Sequence, residues 1–341
     1  MSWRRAAAIF AMLCFFSPTL CAKGAQRMGH PQVPGESLRV HVDLVNVPVT
    51  VLDAKGRPVT GLRREDFALT EDGHPEAIRV FQANAARPLS VVLAIDASVS
   101  VRKELPLAKQ AAYEFVRSLL QGEEGVNPSS PTICAKSAQR MGHPSEYFDR
   151  VEVLEFSGEV TRVVPFTGNR RAVDRGLHSL HADGPTALYA AIARAAKDLG
   201  KNRGRKIILV VSDGSNSVAG VDYEQARAAA LRAQASIESV ILVPIEANAG
   251  RDLGGEHALI QLARDTGGQY FYADSINLLQ DAMTRLSLGL RSEYLLGYYP
   301  AQTGNLDRVG FRRIQLQMTN PAWNKMYHLQ YRTGYYADGA R

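Results

Sequence analysis

Leu89-Ser90-Val91-Val92-Leu93-Ala94-Ile95, followed by Asp96-Ala97-Ser98-Val99-Ser100, decides the reading of this chain. An almost unbroken apolar run of this length is what a strand buried on both faces of a parallel sheet requires. The run stops at an aspartate and two hydroxyl residues, and helical periodicity follows over Leu105 to Leu120. Strand, polar turn and helix open a βαβ unit. The polar turn falls beyond the carboxyl end of the strand, where open α/β sheets bind their ligands.

Working outward, the alternation continues downstream. Strands are predicted at Val151 to Phe156, Val160 to Pro165, Lys206 to Val211, Val240 to Ile245 and Tyr270 to Tyr272. Helices are predicted at Ala187 to Leu199, Tyr223 to Ala235, His257 to Asp265 (closed by Gly267-Gly268) and Ile276 to Leu288. Strands alternating with helices mean a doubly wound, mostly parallel α/β domain with right-handed crossovers, spanning residues 88–290. Upstream, residues 38–52 alternate with period 2, and Phe67 to Thr70 and Ala77 to Phe81 read as further strands, giving a β segment over 36–87. Residues 291–337 return to β, with strands at Tyr294 to Tyr299, Phe311 to Gln317 and Tyr327 to Tyr331. Each flanking piece is small for independent stability. The two are expected to pair into a small β-sandwich with the α/β domain inserted between them; two separate flaps are the alternative.

The 341 residues carry a formal charge of +6, of which Arg4 and Arg5 belong to the first 22 residues. These two arginines ahead of apolar Ala6 to Phe16 read as a secretory signal cut after Ala22, so the protein is expected to be exported to periplasm, cell surface or medium. A lipoprotein site at Cys21 and an uncleaved anchor are weaker readings. No later stretch reaches about 18 uninterrupted apolar residues, so no membrane span is expected after the signal. Cleavage leaves Cys134 as the one cysteine, which excludes an internal disulfide and a cysteine-based zinc site. The basic cluster Lys201 to Lys206 reads as a solvated loop, and without interleaved aromatics it does not suggest nucleic acid. Residues 17–31 (SPTLCAKGAQRMGHP) and 130–144 (SPTICAKSAQRMGHP) are near-copies. They recur at no fixed period, so they read as an inserted element rather than a repeat architecture. The second copy falls in residues 122–147, expected as a long exposed loop, which costs little in closure entropy.

The chemistry concentrates at three places. Asp96, Ser98 and Ser100 follow the first buried strand. Asp213 stands in Ser212-Asp213-Gly214-Ser215 after the second. Thr186 follows Asp183-Gly184-Pro185 at the start of the Ala-rich helix. An aspartate-x-serine-x-serine, a later threonine before a helix and an aspartate after a buried strand resemble the metal-ion-dependent adhesion site (MIDAS) of von Willebrand factor A (VWFA) domains, over about 200 residues and in that family's order. The flanking segments, with Gly61-Leu62, Asp66-Phe67, Glu71-Asp72-Gly73, Tyr294 to Tyr299 and Gly334-Tyr335-Tyr336, are similar to the secreted VWFA-related proteins of acidobacteria. The resemblance implies that Ser98, Ser100 and Thr186 give hydroxyl oxygens to Mg²⁺ (Mn²⁺ or Ca²⁺ can substitute) while Asp96 and Asp213 ligate directly or through water. Mg²⁺ wants six oxygens and usually keeps several waters. With two protein carboxylates it stays electrophilic towards an Asp or Glu of a protein partner, which implies cation-dependent protein binding and cell adhesion rather than catalysis. Val99 occupies a slot where the family often has glycine.

Other readings compete. Asp96, Ser98 and Ser100 can simply cap a strand end and a helix. A phosphatase of the haloacid dehalogenase kind needs a second aspartate where Ser98 stands. There is no G-x-S-x-G elbow, Walker loop or dinucleotide fingerprint. His178 and His181 read as exposed loop residues. The chain can also be an envelope scaffold in which the metal is only structural, or, least favoured, a metal-dependent hydrolase. Tyr298, Tyr299, Tyr335 and Tyr336 read either as a contact patch or as half-buried strand residues.

Overall fold

The computed structural model describes residues 44–83, 87–120, 148–243, 252–301 and 310–337. The stretch expected to be a signal sequence (1–22), residues 36–43, the expected loop 122–147, Cys134 and both copies of the repeat lie outside these residues.

Six strands build the central sheet: β5 (Leu89–Asp96), β6 (Arg150–Phe156), β7 (Val160–Thr167), β8 (Arg205–Ser212), β9 (Ala235–Leu242) and β10 (Tyr270–Ala273), in the order β10-β9-β8-β5-β6-β7. All pairings are parallel except β6 with β7. Every residue of β5 is buried. Val91, Leu93 and Ile95 pack on one face with α1 (Leu105–Leu119), α2 (Arg170–Ser179) and α6 (Ile276–Arg291). Val92 and Ala94 pack on the other with α3 (Leu188–Leu199), α4 (Tyr223–Ala233) and α5 (Leu253–Thr266). This is a mostly parallel sheet flanked by helices, as expected. The chain leaves β5 towards β6 on one side and reaches β8 on the other. β5 is therefore the switch point, and the crevice beyond its carboxyl end is where such a fold binds.

The flanking segments do pair. One four-stranded sheet has the order β13-β1-β11-β4, built from β1 (Val45–Leu52), β4 (Val80–Gln82), β11 (Glu293–Tyr298) and β13 (His328–Tyr331). The other has the order β14-β12-β2-β3, from β2 (Phe67–Glu71), β3 (His74–Glu76), β12 (Gly310–Met318) and β14 (Gly334–Ala337). N-terminal β1 lies between C-terminal β11 and β13, and β2 pairs with β12. Their inward residues, among them Val47, Val49, Phe67, Leu69, Tyr294, Leu296, Ile314 and Leu316, make one core. Inside it the Glu71 carboxylate accepts from Tyr298 Oη, from Tyr335 Oη at 3.1 Å and from Arg312 Nη1 at 2.9 Å. Tyr298 is fully buried, Tyr335 and Tyr336 are half-buried, and Tyr299 is exposed, so the four tyrosines form no common surface patch.

Several elements differ from the sequence reading. The strand expected at 77–81 is broken, because β3 pairs with β2 in one sheet and β4 with β11 in the other; residues 77–79 carry the chain between sheets. Helix α2 was not expected. It is strongly polar, buries only Val173, Gly176 and Leu177, and starts where Asn169 Oδ1 accepts from Ala172 N at 3.2 Å. His178 therefore sits on a helix rather than a loop. The helix expected to run to residue 235 ends at Gln234, which adopts a left-handed φ of 56°, and β9 starts at once. Glu238 and Ser239, both buried, hid that strand's start. A fourth C-terminal strand, β14, and a short helix α7 (Trp323–Met326) complete the tail. Arg205, read as part of a solvated basic loop, is buried and stands 3.4 Å from Glu293 Oε1.

Removing the Glu71 carboxylate leaves Arg312 and two tyrosine hydroxyls without their acceptor. Glu71→Ala is expected to lower stability by about 3–5 kcal/mol. Thr70→Ala, on the outer side of the same strand, is expected to stay within about 0.5 kcal/mol. Urea denaturation of both variants checks the pair.

Candidate metal centre

Asp96 ends β5 with no exposed surface. Its Oδ1 accepts from Ser98 N at 2.9 Å, and its Oδ2 from Ser212 Oγ at 2.6 Å. Ser98 is buried, Ser100 is exposed, and their hydroxyls are 3.0 Å apart. Asp213, half-buried, follows the last residue of β8; its Oδ1 accepts from Ser215 N at 2.9 Å. Thr186 is buried just before α3.

Hydrogen bonds tie the three loops together. Val99 N donates to Gly184 O at 3.1 Å and Asp183 N to Ala97 O at 2.8 Å, joining the Asp96 loop to the Thr186 loop. Ser217 N and Val218 N both donate to Thr186 O, at 2.9 and 3.1 Å, and Thr186 N donates to Ser217 Oγ at 2.9 Å. These bonds join the Thr186 loop to the Asp213 loop. Gly214, at φ 92°, lies against the backbone of Gly255 in the first turn of α5; a side chain at either glycine would strike the other's backbone. The structure thus brings the five residues singled out in the sequence to one rim. His181 is nearby but faces outward, its backbone N–H donating to Glu155 Oε1 at 3.0 Å. Val99 is half exposed on the same rim.

Burial pushes the Asp96 carboxyl up to about 6; the hydroxyls of Ser212 and Ser98 and the Ser98 amide oppose this, and the Asp213 charge adds to it. Two carboxylates thus repel each other where the compensating groups are neutral donors. Among the described residues no group of three or more His, Cys, Asp or Glu side chains is placed to hold an ion. The set here has two carboxylates and otherwise hydroxyls. An all-oxygen set with uncompensated negative charge fits a hard divalent cation and not a soft one.

Two contributors escaped the sequence reading. Ser212 clamps Asp96 from the neighbouring strand, and Ser217 pins the Thr186 backbone. The available signal for Ser212 was a serine closing an otherwise apolar strand.

Residues 91–216 match the von Willebrand factor type A domain. The match begins inside β5 and ends just past Asp213, so it includes Asp96, Ser98, Ser100, Thr186 and Asp213. Among solved structures, the chain is similar to the conserved hypothetical protein BatB from Bacteroides thetaiotaomicron, with 21% identity and TM-score 0.42 over 60% of this chain and 100% of that one. It is also similar to an aerotolerance-related membrane protein from Bacteroides fragilis, with 22% identity and TM-score 0.41 over 58% and 98%. A third is the vWF domain of the type V pili tip protein Mfa5 from Porphyromonas gingivalis, with 13% identity and TM-score 0.44 over 60% and 95%. A search of curated proteins gave no match.

The raised Asp96 carboxyl has a consequence for stability. Between pH 3.8 and about 6 the folded protein retains a proton that the unfolded chain has released, so stability falls as pH rises through that window and stays lower above it. The loss is on the order of 3 kcal/mol. In EDTA, Asp96→Asn is expected to be more stable than the wild type at pH 7.5, with the gap closed by pH 4. Urea midpoints at the two pH values measure it.

Proposed function

We propose that the A-type region is a divalent-cation-dependent protein-binding module whose partner presents an Asp or Glu carboxylate. The observation that carries this reading is the Asp96 carboxylate: buried, beside Asp213, and stabilised only by neutral hydroxyl and amide donors. Asp96, Ser98, Ser100, Thr186 and Asp213 would hold the ion, with Mg²⁺ the first candidate and Mn²⁺ or Ca²⁺ able to replace it. When bound, such an ion supplies residual positive charge for an incoming carboxylate oxygen. Ser100 and Asp213 lie on the solvent side of the rim, and half-exposed Val99 gives an approaching segment an apolar contact.

The match to a family that often mediates protein–protein contacts supports a binding role over an enzymatic one. The scaffold alternative, with a purely structural ion, is less well supported. Protein hydrogen bonds already tie the three loops, so an ion is not needed to hold them. On residues 294–299 and 334–336 we group the chain with the secreted VWFA-related proteins, and on Arg4, Arg5 and the apolar run after them we infer export. Among the described residues no helix is long and apolar enough to cross a membrane.

Titration calorimetry with Mg²⁺ is expected to show one site in the wild type and none in Asp96→Ala. A pull-down from envelope extract is expected to recover a partner in Mg²⁺ and lose it in EDTA. Wild-type binding of the partner undiminished by EDTA rejects the proposal, and so does phosphatase or esterase turnover that disappears in Asp96→Ala.

A further inference from the structure

The opposite end of the central sheet has its own chemistry. A cavity of about 70 Å³ lies between the amino ends of β8 and β9 and strand β1 of the sandwich. Its walls include Arg87, Arg205, Lys206 and Arg332, against one carboxylate, Glu293. Glu293 Oε2 takes Arg87 Nη2 at 2.9 Å, and Oε1 stands 3.4 Å from Arg205 Nε. The second contact lacks hydrogen-bond geometry, so Oε1 remains without a donor. Glu238, buried behind the wall, offsets part of the Arg205 charge; its own carboxyl is pushed up by burial.

Arg332 is the decisive residue. It is only 6% exposed, with Nη2 donating to Asn46 O at 2.5 Å and its guanidinium over the Tyr335 ring at 5.6 Å. The groups that act on it electrostatically are the neutral hydroxyls of Tyr298 and Tyr335, not a carboxylate, and burial lowers its proton affinity. Its Nε and that of Arg87 have no acceptor from the protein. An uncompensated buried guanidinium is costly unless an anion meets it. Two acceptors, Glu293 Oε1 and Gln330 Oε1, are also unpartnered on the same walls. A complementary ligand therefore brings anionic oxygens for the arginines and at least one hydroxyl proton for these acceptors. A water needs roughly 10–15 Å³ of such space, so the cavity has room for one tetrahedral oxyanion and not for a nucleotide or a peptide.

We propose that this cavity is a binding site for a small oxyanion that retains a hydroxyl, with hydrogen phosphate as its simplest member, and that the ion joins the sandwich to the α/β sheet. This site is independent of the metal centre.

Titration calorimetry and thermal melts of the full chain in EDTA at pH 7.5 test it, with inorganic phosphate, sulfate and chloride compared at equal ionic strength. Phosphate is expected to bind one saturable site and raise the melting temperature. Sulfate, which has no proton to donate at this pH, is expected to bind at least tenfold more weakly. Arg87→Gln, at a partly exposed wall position, is expected to fold and to weaken phosphate at least tenfold; Arg332→Gln is expected to abolish binding. If Arg332→Gln does not fold, Arg87→Gln decides. No saturable phosphate binding, equal affinity for sulfate, or wild-type affinity in Arg87→Gln overturns the proposal; the first result would mean that the cavity holds water alone.

Discussion

The Asp96 carboxylate governs the arrangement of this molecule's upper rim. It closes the central strand of the sheet, has no contact with bulk water, and is gripped by a serine from the adjacent strand and an amide from its own turn. Burying a carboxylate among neutral donors is unfavourable unless other charges or strong hydrogen bonds compensate. The loops carrying Thr186 and Asp213 close over it through backbone hydrogen bonds that need no ion, so the rim is preorganised and its electrostatic deficit is already in place. A scaffold of this kind can present a charge to a partner without first having to fold around it.

Much of this was legible in the chain. The near-continuous apolar runs of β5 and β8 named a buried parallel sheet, and Asp96, Ser98, Ser100, Thr186 and Asp213 each stood at a strand end or helix start. Period-2 alternation marked β1, and burial follows it over residues 45–48, whereas residues 49–52 are buried on both faces. What stayed hidden had physical reasons. Helix α2 has few apolar residues to show a period, since it covers little of the sheet. The start of β9 was masked by Glu238, a buried carboxyl that accepts from Ser236 of its own strand and from the Gln269 backbone. Arg205 looked solvated beside other basic residues, yet Glu293, distant in sequence, draws it inward. Ser212 carried no spacing signal, because its role depends on how two parallel strands end beside each other.

The two ends of the sheet are treated differently by the same chain. At the carboxyl ends, acidic groups face neutral donors; at the amino ends, guanidiniums outnumber the carboxylates that meet them. Both imbalances lie where segments from separate elements converge at an end of the central sheet.

The sandwich also imposes an order of events in time. Strand β2 cannot complete its sheet until β12, some 240 residues later, has been made. At ordinary synthesis rates of about 5–20 residues per second that delay is roughly ten to fifty seconds. Throughout it, the amino-terminal strands keep open edges while the rest of the polypeptide is still emerging from the ribosome. A chain assembled this way has a long interval in which its first strands wait for the sequence-distant partners that complete their sheets.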